Sequence, residues 1–148
     1  MVLLPLLLIS SAALPDGWRE AKPVKDPYCR MPFEHRADLD GDGIEDTVRL
    51  LSRKDGLKLG LFVWLADGKA TLIDSFSLPD ADHRLGIGIQ PPGTFKTWCG
   101  RDGWCEPGQP AWVKLTQPTI ALVTCEASMS YLVWSPKKRN FRWVLMSD

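Results

Sequence analysis

From residue 47 onward the apolar side chains recur at every second position, and no stretch sustains the 3.6-residue period of an amphipathic helix. Residues 47–51 alternate. Leu57, Leu59, Leu61, Val63 and Leu65 then keep the period, Ala66-Asp67-Gly68 breaks it, and a second run covers 70–78. Two such runs around a glycine-containing turn predict a β-hairpin. Further segments at 85–90, 94–98, 111–115, 119–124, 129–134 and 141–146 are punctuated by Pro91-Pro92-Gly93, by the loop between Cys99 and Cys105, and by "TQP", "CEA" and "SPKKRN". The last two segments predict another hairpin, with Tyr131 and Val133 on one face and Leu132 and Trp134 on the other. Residues 79–84 leave room for a short helix. Short strands at this spacing predict an all-β fold, an antiparallel sandwich or small barrel of about seven to nine strands.

The beginning of the chain follows another pattern. An apolar run from Val2 to about Leu14 ends in the small residues Ser10, Ser11, Ala12 and Ala13, which predicts a secretory signal peptide over 1–13. Thirteen residues fall short of the roughly 20 that span a bilayer, and Pro5 and Pro15 do not suit a core helix. No Lys or Arg precedes the run, which departs from the usual leader. Residues 15–33, rich in Pro and charge, read as an extended arm pinned by Cys29. A chain of 148 residues with 45% hydrophobic side chains supports one core but not two, so 14–148 is expected to be a single β-rich domain.

Charge narrows the partners. Lys plus Arg equals Asp plus Glu at 18 each, so no overall positive field draws nucleic acid or anionic lipid. Four cysteines in a small, exported chain favour disulfides. Three pairings are possible; Gly100 and Gly103 let the backbone fold back between Cys99 and Cys105, which leaves Cys29 for Cys125. That second bridge would close most of the domain, worth about 3 to 5 kcal/mol on the chain-entropy model. A zinc site would call for a close Cys-x2-4-Cys knuckle, which the chain lacks. Export and disulfides together predict a periplasmic or secreted protein.

The stretch "DLDGDGIED", residues 38–46, crowds five carboxylates into nine residues just before the first long strand. Numbered from Asp38, the acids Asp38, Asp40, Asp42 and Asp46 fall at positions 1, 3, 5 and 9, with Gly43 at 6 and Ile44 at 7. In calcium loops of the EF-hand, carboxylate oxygens come from 1, 3, 5 and 9, a backbone carbonyl from 7, and glycine at 6 makes the sharp turn. Calcium wants six to eight hard oxygens, and without a cation the same carboxylates repel one another. The register therefore predicts a calcium site built from Asp38, Asp40, Asp42, the Ile44 carbonyl and Asp46. Position 12 is Arg49 rather than a bidentate Glu, which predicts weak binding on the order of 10⁻⁴ to 10⁻³ M. Arg49 is expected to offset excess negative charge, and Glu45 to point away from the ion. A solvated Asp-Gly turn is the bland alternative.

The Asp38–Asp46 motif, with Leu39 and Ile44 apolar, resembles the calcium loops of FG-GAP and VCBS repeats, and the first half of a dockerin loop. FG-GAP loops lie between strands, as this one is expected to. In that family the motif recurs around a propeller; here it occurs once, so the resemblance implies the site and not the propeller. The wider layout resembles that of small exported bacterial proteins: an acidic loop, a Cys-Gly…Trp-Cys loop and an aromatic hairpin.

Nothing in the sequence points to catalysis. His35 and His83 have no partner motif, imidazole is a poor calcium ligand, and no nucleophile elbow, zincin or P-loop spacing is present. An envelope-acting enzyme is the weakest reading. Seven tryptophans are many for one domain. Trp64, Trp112, Trp134 and Trp143 lie in strands and are expected in the core. Trp98 and Trp104 flank the cysteine loop with Arg101 and Asp102 between them, a candidate surface for a protein partner, or alternatively for a polysaccharide. The reading is an exported, non-catalytic, calcium-binding β-domain that engages or inhibits another protein.

Overall fold

The computed structural model describes residues 13–22, 29, 31–78 and 84–147. The leader, apart from residue 13, lies outside them, as do residues 23–28 and 30 of the arm and 79–83 of the candidate short helix. The elements in chain order are β1 (Trp18–Glu20), β2 (Glu34–Ala37), β3 (Asp46–Arg53), β4 (Lys58–Trp64), β5 (Ala70–Ser77), β6 (Leu85–Gln90) and β7 (Gly93–Lys96). Then follow α1 (Trp98–Asp102), β8 (Trp112–Leu115), β9 (Thr119–Thr124), β10 (Ser128–Ser135) and β11 (Asn140–Ser147). The fold is all-β and antiparallel, with eleven strands rather than seven to nine, and no barrel closes among the described residues.

Three layers stack. One sheet runs β1-β3-β4-β5, with β2 also on β3; a second runs β11-β10-β9-β6; β7 and β8 form a separate ribbon. β1 pairs with residues 51–53 of β3 and β2 with residues 46–49, so the arm lies along β3 as one interrupted strand. Period two sorts the side chains. Val48, Leu50, Leu59, Leu61 and Val63 meet Ile87, Ile120, Leu122 and Leu132 in the main core between the sheets. Tyr131, Val144 and Met146, on the second sheet's other face, pack on Val113 and Leu115 of the ribbon. β4 is apolar at nearly every position because both of its faces are covered, whereas β3 alternates Val48 and Leu50 with polar residues before Leu51. On the outer face of the first sheet Leu51, Phe62 and Trp64 are buried under Trp18. The Trp18 ring lies so close to Gly60 that a Cβ there would sit 2.7 Å from it.

The two sides of the sandwich differ. On the β2–β6 side the Ile87 N–H donates to the Pro32 carbonyl at 3.2 Å and His35 Nε2 donates to the Ile87 carbonyl at 2.8 Å. The Cys29–Cys125 disulfide ties the arm to the turn between β9 and β10 on that side. On the β5–β11 side an edge-to-face contact joins Phe76 and Trp143, with centroids 6.4 Å apart, and no backbone hydrogen bond crosses among the described residues.

Candidate metal centre

The loop between β2 and β3 folds around its own carboxylates. Asp38 accepts the N–H groups of Gly41 and Gly43, each at 2.9 Å, one on each oxygen. Asp40 accepts from Asp42 N at 3.1 Å, and Asp42 from Ile44 N at 2.8 Å. Gly41 and Gly43 have φ of 79° and 85°, the left-handed region that glycine enters at no steric cost, so the chain coils tightly enough to aim alternate acids at one point. Ligand oxygens of Asp38, Asp40 and Asp42 lie within 4.8 Å of one another, a set able to hold a metal ion. Leu39, 1% exposed, plugs into the main core, while its neighbours in the loop face solvent.

Asp46 sits beneath this triad at the first inward position of β3. It is 1% exposed, and its Oδ2 accepts the Leu39 N–H at 2.7 Å. Its Oδ1 is buried with no hydrogen-bond partner. A buried acceptor left without a donor is costly, and native folds seldom keep one. Burial pushes the Asp46 carboxyl up from 3.8 to about 6, and the nearby charges of Asp40 and Asp42 push the same way against the backbone N–H groups of Leu39 and Asp40. Burial also raises Asp40, with help from the charges of Asp42 and Asp38. The structure thus brings together the acids at positions 1, 3 and 5 and leaves Asp46 outside their group; a cation held by Asp38, Asp40 and Asp42 would relieve the repulsion among their charges, so the triad fits an ion.

Ile44, at position 7, has a side chain 55% exposed, and its carbonyl is the only ligand atom it has to offer. Glu45 is exposed. Arg49 does not reach the loop. It stands on the face of β3 opposite Asp46, bonded to Glu20 at 2.9 Å and Glu34 at 3.2 Å and placed over Trp64, because residues an odd number apart on a strand point to opposite faces. His35 spends its Nε2 on Ile87. Gln117, in the turn between β8 and β9, escaped the sequence reading: its Nε2 donates to the Leu39 carbonyl at 3.2 Å and braces the loop from the second sheet. No signal in "TQP" marks it.

Both disulfides pair as expected, Cys99 with Cys105 and Cys29 with Cys125. The 94–98 segment ends earlier than expected, since α1 takes Trp98. Thr97 caps that single helical turn by accepting the Gly100 N–H at 3.2 Å, and Gly103, at φ 82°, ends it. Trp104 is 69% exposed and Trp98 36%, with Arg101 and Asp102 at the surface beside them. Trp64 and Trp134 are buried as expected, but Trp112 and Trp143 are 55% and 41% exposed, contrary to expectation. Trp112 shares its outward parity with Lys114, and Trp143 lies on an edge strand that the first sheet does not reach across. Trp98, Pro110, Trp143 and Leu145 line a cleft of about 150 Å³ between α1 and β11.

Among the described residues no helix is long and apolar enough to cross a membrane. No family model, curated protein or solved structure matches the chain.

Proposed function

We propose that the protein is an exported, non-catalytic binding domain whose first sheet is held in register by calcium in the loop of residues 38–46. The observation that carries the metal is Asp46 Oδ1, a buried carboxylate oxygen without a partner at position 9 of a loop whose positions 1, 3 and 5 already converge. Asp38, Asp40, Asp42, Asp46 and the Ile44 carbonyl would hold the ion. Calcium suits them because every donor is a hard oxygen, and the ion supplies charge neutralisation rather than a reaction. With the ion in place, Leu39 stays seated in the core and β3 starts in the right register, so the role is structural.

Export is supported by the leader pattern and by two disulfides, which suit a non-reducing compartment such as the periplasm or the exterior. Binding of another protein is supported by the exposed tryptophans around the cysteine loop, rigid and beside charged side chains. The metal is tested by thermal or denaturant unfolding with excess calcium, with excess magnesium and with chelator. Calcium at a hundredfold its Kd should add about 2.7 kcal/mol, and Asp40→Ala should erase the gain. Equal unfolding curves with calcium and chelator would remove the metal from this reading. For the partner, capture from an envelope extract set against a glycan array separates protein from polysaccharide. Trp104→Ala should abolish capture while leaving the unfolding curve in place.

A further inference from the structure

The open side of the sandwich has properties that neither the metal loop nor the cysteine loop uses. β5 is the last strand of its sheet and has no neighbour on its outer side among the described residues, so alternate residues of this eight-residue strand present unpaired backbone groups there. The other edge strand, β11, has α1 and Pro110 across a cleft from its residues 143–145. Two cavities of about 230 and 320 Å³ flank the Phe76–Trp143 contact along the seam. The first is walled by Leu72, Ile73, Trp134 and Phe141, and Arg139 stands at its rim. Leu72 is 46% exposed.

The charge at that end is one-sided. Between residues 127 and 147 the chain carries four cations, Lys137, Lys138, Arg139 and Arg142, and no carboxylate. Lys137, Lys138 and Arg139 form the exposed turn between β10 and β11, and none of them has a carboxylate partner among the described residues. Among the described residues, the carboxylates on the first-sheet side of the seam are Asp67, in the turn before β5, which accepts the Lys69 N–H, and Asp74 within β5, which accepts the Ser75 N–H; both keep their charge. The cationic turn borders the first cavity, which Arg139 lines, and lies near the free edge of β5.

We infer that the β5–β11 seam accepts an acidic, extended peptide segment of a partner protein. The segment pairs in strand fashion with the outer edge of β5. Its inward side chains fill the two cavities, and carboxylates at one end meet Lys137, Lys138 and Arg139. Edge pairing gives affinity and the pockets and charges give selectivity. The inference takes up the protein-binding reading but uses a different surface, which meets the cleft beside α1 at Trp143, does not include Trp104 and is independent of calcium.

The test uses the full chain and two blocked octapeptides, one alternating Val with Glu and one alternating Val with Lys, followed by amide hydrogen exchange and by NMR titration. The Glu peptide should protect β5 amides and bind about tenfold more tightly than the Lys peptide. That preference should vanish in Lys137→Glu/Arg139→Asn, where Asn suits the left-handed backbone of residue 139 at φ 51°. Trp104→Ala should leave the preference intact. That separates this seam from the tryptophan surface, whose own failure would show in the envelope capture alone. Equal affinity for the two peptides, or protection confined to strands other than β5, would overturn the proposal. So would binding of anionic phospholipid vesicles with no response to the Glu peptide.

Discussion

The acidic loop before β3 and the cysteine loop after β7 are held by opposite means. Residues 38–46 are gathered by carboxylates that accept backbone N–H groups, leaving a buried oxygen and mutual repulsion that only protons or a cation relieve. Residues 97–110 are gathered by Cys99–Cys105, with a sequence separation of 6, and by Thr97, which bonds both Gly100 N and the Pro110 carbonyl. One hold is ionic and answers to pH and metal; the other is covalent and neutral and answers to reductant. A small domain uses both where its strands alone do not determine the path of the chain.

Reduction should be the largest blow on the covalent side. Cys29→Ser/Cys125→Ser opens a loop with a separation of 96 residues and should cost about 4 to 5 kcal/mol, against about 2 for Cys99→Ser/Cys105→Ser, if unfolded-chain entropy governs. Denaturant unfolding of the two double variants measures the ratio. Equal losses would show that the short bridge does more than close its loop. Neither loss should change when calcium replaces chelator.

The ionic side should respond to pH. The Asp46 carboxyl stands at about 6 in the fold against an ordinary 3.8, so the folded protein binds the proton more tightly than the unfolded chain does. Its contribution is fully present below 3.8 and is lost as pH rises through about 6. In chelator, stability should therefore fall by about 2 to 3 kcal/mol from this group between mild acid and neutrality. Asp46→Asn, which keeps an acceptor for Leu39 N, should flatten the difference, and saturating calcium should remove it in the unsubstituted chain. A wild-type slope no steeper than that of the Asn variant would show that Asp46 is not strained.

Period two made β3 through β6 and β8 through β11 legible, and the calcium-loop spacing made legible the three acids at positions 1, 3 and 5 that converge. β1 and β2 were not legible, because "WRE" and "EHRA" are short, polar edge strands that owe their conformation to pairing with β3 and to the Glu20–Arg49–Glu34 ion pairs rather than to their own pattern. α1 is a single turn, too short to show a helical period, although Thr97 and Gly103 bracket it as cap and stop. Parity alone would have turned Trp112 outward beside Lys114 and Arg49 away from Asp46. Trp143 was beyond reach, since "FRWVLM" is apolar on both parities and only the edge position of β11 decides which face stays open. The burial of Asp46 and the brace from Gln117 are tertiary facts with no local signature.

The smallest effect tests whether the two loops are independent. Thr97 is 2% exposed; its hydroxyl accepts from Gly100 N and donates to the Pro110 carbonyl at 2.7 Å, so Thr97→Ala leaves a helix-end donor and a carbonyl short of one partner each. Loss of such a cap costs about 1 kcal/mol, with up to about 2 when the partners are buried. Thr97→Ser keeps the hydroxyl and should recover most of the loss. Because no hydrogen bond or ion pair links Thr97 to the acidic loop among the described residues, the loss should be the same in calcium and in chelator. It should also add to that of Asp40→Ala within about 0.5 kcal/mol, as for sites without shared partners. A larger loss in chelator would mean that the two holds communicate across the second sheet, through Gln117 and the turn after β8, and the contrast between an ionic and a covalent loop would become one between two ends of a single cooperative unit.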